Sequence, residues 1–234
     1  MHSVKRPVTP DALALKLEEW QDEIANACRN EAESRVKSKI ANELWQSKKD
    51  KSLLKNELLR TYKECCCYCE SKISPSEFGH IEHRLPKSRF PESAFSIDNL
   101  HLSCTRCNTL KLEKYDQDNE ILDACRDNVE QHLRISADFP GLLTAMTPRG
   151  STTISFCSLN RDELLEARKQ AQEDGLNLLT NMQETGTDSP VNSRNRNLLE
   201  LKAAHGQGYC SVYRHIIEKD SELAGQIDRS NWKM

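Results

Sequence analysis

Cys65, Cys66, Cys67 and Cys69 fall within five positions, between Glu64 and Glu70. Thiolates spaced C-x-x-C can converge on one metal ion, because the two intervening residues form a turn that brings both sulfurs to one side. Cys66 and Cys69 have that spacing, and Cys104 and Cys107 repeat it. Together the two pairs predict a tetrahedral, four-sulfur zinc site. Cys65–Cys67 and Cys67–Cys69 are C-x-C pairs with a tighter bite, and Cys65–Cys69 is longer, so Cys65 and Cys67 read as bystanders or as alternates one register away. A four-sulfur site is closed, so its zinc is expected to be structural, supplying roughly 10–16 kcal/mol of apparent folding free energy. Cys28, Cys125, Cys157 and Cys210 lie in apolar patterns and read as small core residues. Between the two pairs stand residues of another kind: Glu82, His83, Asn99 and Asn108. Histidine can accept a proton near neutral pH, and Glu and Asn are hard oxygen donors suited to Mg²⁺ or Mn²⁺ rather than to a second zinc.

These side chains need a scaffold. Residues 81–83 read as a short strand, residues 97–102 as its return, and a short helix starts from Thr105, giving a hairpin and helix pinned by zinc at both ends. Glu82 and His83 are neighbours, so on a regular strand they face opposite ways, and a bulge or strand end must re-aim one if both serve one site. Upstream, Thr9 as N-cap and Pro10 in the first turn start a helix whose apolar face is Leu13, Leu17, Trp20, Ile24 and Cys28. Val36, Ile40 and Leu44, with Trp45 beside them, mark a second helix, and Leu54, Leu58, Leu59 and Tyr62 a third. Downstream, residues 117–135 are expected to be helical, 137–150 a turn-rich link and 151–159 a β-branched strand. Asn160 is expected to cap a helix to about Leu179, followed by a polar loop near 183–195 and one or two short helices. The expected fold is mainly α with a small zinc-stapled hairpin-plus-helix element: an N-terminal helical region at 1–63, a zinc-bound core at 64–118, and a C-terminal helical region with one strand at 119–234.

The ordered set "CYCE…IEHRLPKS…DNLHLSCTRCNTLK" resembles the HNH (ββα-metal) endonucleases of the zinc-bearing C-x-x-C type, over about Cys66 to Tyr115. Within that superfamily it is most similar to the PtuB family, the nuclease subunits of Septu-type anti-phage modules, some of them retron-linked. "VKRPVTP", "EHRLPKSRFPE" and "ISFCSLNRDELLEAR" support the narrower match. Phosphodiester hydrolysis needs an activated water, neutralised phosphoryl charge and help for the departing oxygen. His83 is the expected general base. The resemblance implies that Glu82 and Asn108 hold the catalytic Mg²⁺ or Mn²⁺, and that Asn99 bonds across the hairpin loop and orients His83. Many relatives have Asp where this chain has Glu82, and His where it has Asn108, which leaves the metal preference open. Arg84, Lys87 and Lys111, with His101, are the candidate phosphate contacts; His80, Arg89, Arg106 and Lys114 lie nearby.

The formal net charge is −3, so bulk charge does not bring this chain to nucleic acid. Hydrophobic residues make up 37% and charged residues 29%, short of the composition of a disordered chain. No apolar signal segment or membrane span is read, so a cytoplasmic, thiol-reducing location is expected. No separate DNA-reading domain stands out. The resemblance therefore implies a partner, a PtuA-like ABC/SMC-type ATPase, and in retron-linked modules a reverse transcriptase with its msDNA. Two other readings are a zinc-stapled adaptor that binds the ATPase or nucleic acid without catalysis, and a nuclease acting on RNA, including tRNA, rather than DNA.

Overall fold

Helix α1 (Asp11–Cys28) opens the chain's regular structure in a computed structural model that describes residues 1–73, 79–185 and 189–232. Leu13, Leu17, Trp20 and Ile24 are buried along it at helical spacing. Pro10, not Thr9, takes the N-cap position, with extended backbone and no side-chain cap, so the helix starts one residue later than expected. Helix α2 (Ser34–Ser47) buries fully only Ala41, and its apolar residues are half-covered. Helix α3 (Ser52–Tyr62) buries Leu54, Leu58 and Tyr62.

Lys63 and Glu64 then adopt left-handed backbone (φ 47° and 60°) and reverse the chain into the cysteine-rich knuckle. Strands β1 (His80–His83) and β2 (Leu100–Ser103) form the antiparallel hairpin, with helix α4 (Thr105–Lys111) directly after it. Ile97–Asn99 is a 3₁₀ turn rather than part of the return strand. The loop from 84 to 99 is held by α1 and α2: Gln21 accepts from Phe95 N at 2.9 Å, and Phe95 packs between Trp20 and Trp45.

Five expectations beyond residue 116 are corrected. Residues 117–135 are not an α-helix, although Ile121, Leu122, Val129 and Leu133 are buried. Aspartates compete with the helix ladder there: Asp116 accepts from the N–H groups of Asp118 and Asn119, Asp123 from Cys125, and Asp127 from Asp123. Arg149 fixes the result by pairing with Asp127 at 2.6 Å and bonding Glu120 O. The β-branched stretch read as a strand is helix α5 (Pro148–Cys157). Thr147 caps it by accepting from Gly150 N, and Pro148 is preset for the first turn, so the start signal outweighs the propensity of the threonines and isoleucine. The strands are β3 (Leu133–Ile135) and β4 (Leu143–Ala145), a pair where one strand was expected and partly inside the supposed link.

Asn160 is no helix cap. Its amide bonds both backbone groups of Leu143, and α6 (Asp162–Thr185) follows, extending past Leu179. The supposed polar loop is largely helical: α6 runs through Thr185, and α7 (Pro190–Ala203) starts at Pro190 under a Ser189 cap, with 186–188 outside the described residues. Its polar side chains are used inward; buried Asn192 donates to Met182 O at 3.0 Å. Helix α8 (Cys210–Lys219) packs onto this pair, and α9 (Ser221–Gln226) packs onto α8. The fold is thus mainly helical with two small antiparallel strand pairs. No helix among the described residues is long and apolar enough to cross a membrane.

Candidate active site and metal centre

The knuckle after α3 carries Cys66 and Cys69, while Cys104 is the N-cap of α4 and Cys107 lies in its first turn. The four sulfurs lie within 4.8 Å of one another, and all four residues are buried. Cys69 Sγ and Cys104 Sγ are 3.7 Å apart. Zinc–sulfur bonds of about 2.3 Å at tetrahedral angles require a separation of about 3.8 Å, so the cluster fits zinc. Hydrogen bonds from Cys104, Cys107 and Cys66 hold the Cys69 thiol well below its ordinary range. Donors already face it: Ser71 Oγ lies 3.0 Å from Cys69 Sγ, and Arg161 donates to Cys107 Sγ at 3.6 Å. Cys65 and Cys67 are outside the cluster. Burial pushes their thiols up to about 12 and about 11, respectively, as for inert core cysteines. Cys67 contributes its backbone, donating to Leu102 O at 2.8 Å and tying the knuckle to β2.

The hairpin register is regular. Glu82 lies opposite His101 and His83 opposite Leu100, so no bulge re-aims either side chain, and His83 is the last residue of β1. Glu82 Oε1 pairs with Lys111 Nζ at 2.6 Å and accepts from Tyr68 at 3.3 Å. Among the described residues, Oε2 has no hydrogen-bond partner. Burial raises the Glu82 pKa even against the pull of Lys111. Lys111 is itself fully buried; its ammonium also donates to His83 O at 2.7 Å, joining α4 to the end of β1.

His83 Nε2 lies 2.9 Å from Ala94 O, and Trp45 packs edge-on to the ring at 4.4 Å. A carbonyl only accepts, so Nε2 carries the proton and Nδ1 keeps the lone pair. No partner among the described residues occupies Nδ1. Burial, then the Lys87 charge, lowers the His83 pKa to about 3, so the ring is neutral at pH 7. Lys87 and Lys111 act on both Glu82 and His83, which brings these two side chains within one electrostatic neighbourhood despite their opposite strand faces.

Asn99 accepts from Leu85 N at 2.7 Å and donates to Leu85 O at 2.9 Å and Ser93 O at 3.1 Å. It closes the loop whose next residue, Ala94, holds His83. Asn108 is half-buried on α4, with no side-chain bond among the described residues. Of the candidate phosphate contacts, three are turned inward. Arg84 pairs with Glu120 at 2.9 Å; Lys111 is committed to Glu82; His101 is buried and bonded to Tyr62 at 2.5 Å. Lys87 is the one of the four left only partly covered and without a close ion pair among the described residues. Exposed His80 bonds Thr105, and Arg106 pairs with Glu163 at 3.7 Å. Sequence reasoning missed the counter-ion role of Lys111 and the seat that Trp45 gives His83. The first had a signal, since Lys111 lies three residues beyond Asn108 on one helix face. Trp45 had none, because its partner is distant in sequence.

Residues 66–114 match the HNH endonuclease family. The chain is similar to Septu protein PtuB of Bacillus thuringiensis, 25% identical over 167 residues, covering 70% of this chain and 62% of that relative. It is also similar to Septu protein PtuB of Bacillus mycoides strain KBAB4, 27% identical over 160 residues, covering 56% of this chain and 54% of the relative. Each alignment spans less than two thirds of the relative's own length. The chain carries an HNH element and resembles PtuB.

Proposed function

We propose that this chain is a metal-dependent HNH endonuclease that hydrolyses nucleic-acid phosphodiester bonds as the effector of an anti-phage defence complex. One observation carries the catalytic reading: a neutral histidine with one nitrogen anchored to a backbone carbonyl and the other unpartnered among the described residues, beside a carboxylate, on a hairpin stapled by four thiols. His83 Nδ1 takes the proton of the attacking water. Lys87 meets the phosphate, and a phosphate there offsets the ammonium charge that depresses the basicity of His83. Glu82 Oε2 and the Asn108 side-chain oxygen are hard donors that would hold Mg²⁺ or Mn²⁺. Such an ion, when bound, neutralises phosphoryl charge and stabilises the departing oxygen. Asn99 and Ala94 keep the imidazole aimed, and zinc in the four-cysteine cluster holds the hairpin and α4 together.

The partner in this reading is a PtuA-like ATPase, which supplies the targeting that a chain of net charge −3 lacks. Leu15 on α1, Leu176 on α6 and Val191 and Leu201 on α7 are exposed apolar residues suited to docking. The test is purification with the neighbouring ATPase, then cleavage assays on DNA and on total RNA in Mg²⁺ or Mn²⁺. Metal-dependent cleavage of either supports the nuclease and names its substrate. Defence that survives His83→Ala and Asn108→Ala would point instead to a zinc-stapled adaptor.

A further inference from the structure

Away from both centres, three different donors meet in the interior. His2 Nδ1, Glu70 Oε1 and Cys210 Sγ lie within 4.8 Å of one another, and all three residues are buried. His2 Nδ1 is 3.3 Å from Cys210 Sγ and 3.3 Å from Glu70 Oε1. The other histidine nitrogen is already spoken for. His205 Nε2 lies 2.9 Å from Thr61 O, so it carries a proton, and in the neutral ring Nδ1 is then an acceptor. His2 Nε2, 3.0 Å from that acceptor, must be the donor. This relay leaves the His2 Nδ1 lone pair facing a carboxylate oxygen. Imidazole nitrogen, carboxylate oxygen and thiol sulfur converging in a buried site are a donor set suited to zinc.

We propose that His2, Glu70 and Cys210 form a second zinc site, separate from the four-cysteine cluster. Bonds of about 2.0–2.3 Å at tetrahedral angles place N···O and N···S at about 3.3–3.6 Å, close to the distances found. The relay through His205 to a backbone carbonyl is the outer support that metal-bound histidines use. Glu70 Oε2 is fixed by Ser211 N at 3.1 Å, and Oε1 pairs with the Met1 ammonium at 2.7 Å, a cation that zinc would displace. Arg214, the nearby side-chain cation, is committed to Ala203 O at 2.7 Å and Trp232 O at 2.5 Å. Glu70 and Tyr209 hold left-handed backbone (φ 66° and 56°), a strained setting that aims Glu70 and the Cys210 turn inward. Glu70 directly follows Cys69, and Cys210 begins α8. This zinc therefore clamps the C-terminal helices to the back of the knuckle.

Native mass spectrometry and elemental analysis of the full chain test the site. The expected count is two zinc ions per chain, falling to one in Cys210→Ser and in His2→Gln. A count of one in the wild type, or of two in either folded variant, overturns the proposal. Cobalt titration of the wild type needs no variant. The second equivalent is expected to add a thiolate charge-transfer band weaker than the first, in proportion to one thiolate against four; two bands of equal strength, or a single equivalent bound, would overturn the site.

Discussion

The knuckle and the hairpin pocket share β2 and α4 yet treat their polar atoms in opposite ways. In the knuckle four like donors converge, each within reach of the others, and N–H and O–H groups back them from outside. In the pocket no two groups are alike, and each keeps one atom unspent: Oε2 of Glu82 and Nδ1 of His83 lack partners among the described residues. A closed donor set stabilises, whereas spare lone pairs beside a buried ammonium leave room for a reaction. Both depend on α4, whose N-terminus offers Cys104 and Cys107 and whose last residue, Lys111, locks Glu82 and the end of β1.

The contrast breaks first in the knuckle. Cys66→Ser is expected to lose zinc and the fold together, because roughly 10–16 kcal/mol of metal-linked folding free energy goes with the ligand. Cys65→Ser should keep both. Metal content and thermal unfolding of the two variants check this, and the reverse pattern would move the ligand register by one residue. Next in size is Lys111→Met, which leaves the buried Glu82 carboxylate without its counter-ion. We expect a loss of about 3–5 kcal/mol in urea unfolding, largely recovered in the Lys111→Met, Glu82→Gln double variant. The smallest effect sharpens the pocket. His83 stays neutral in the fold down to about pH 3, whereas the unfolded chain takes up that proton near pH 6.5. The unfolded state therefore binds more protons across this window, and stability falls with pH. His83 alone contributes a loss of about 2 kcal/mol between pH 7 and 5, so the pH dependence of His83→Gln unfolding should be flatter by that amount.

The four-cysteine cluster was more legible in the sequence than the scaffold around it. Cysteine spacing is local, so the pairs at 66/69 and 104/107 could be read directly, and the apolar spacing of α1 and α3 likewise announced their buried faces. Between 117 and 160 the outcome depends on groups far apart in sequence. Arg149 pins Asp127, Asn160 grips Leu143, and Thr153 both back-bonds to Arg149 O and receives Leu122 N. Apolar periodicity carries none of this, so a helix was expected in an irregular segment and a strand where Thr147 and Pro148 start α5. The pocket was half legible for the same reason. Glu82, His83 and Asn99 stand out as types, but the inward turn of Arg84, His101 and Lys111 depends on partners at Glu120, Tyr62 and Glu82.

The central claim is that His83 serves the reaction and not the staple. The most direct measurement is cleavage rate and zinc content in the same preparation of His83→Ala, purified with the proposed ATPase partner and assayed in Mg²⁺ or Mn²⁺. Zinc content is expected to be unchanged and the rate lower by about 10²–10⁴-fold, the range for loss of a general base. Cleavage at the wild-type rate with zinc still bound would contradict that claim.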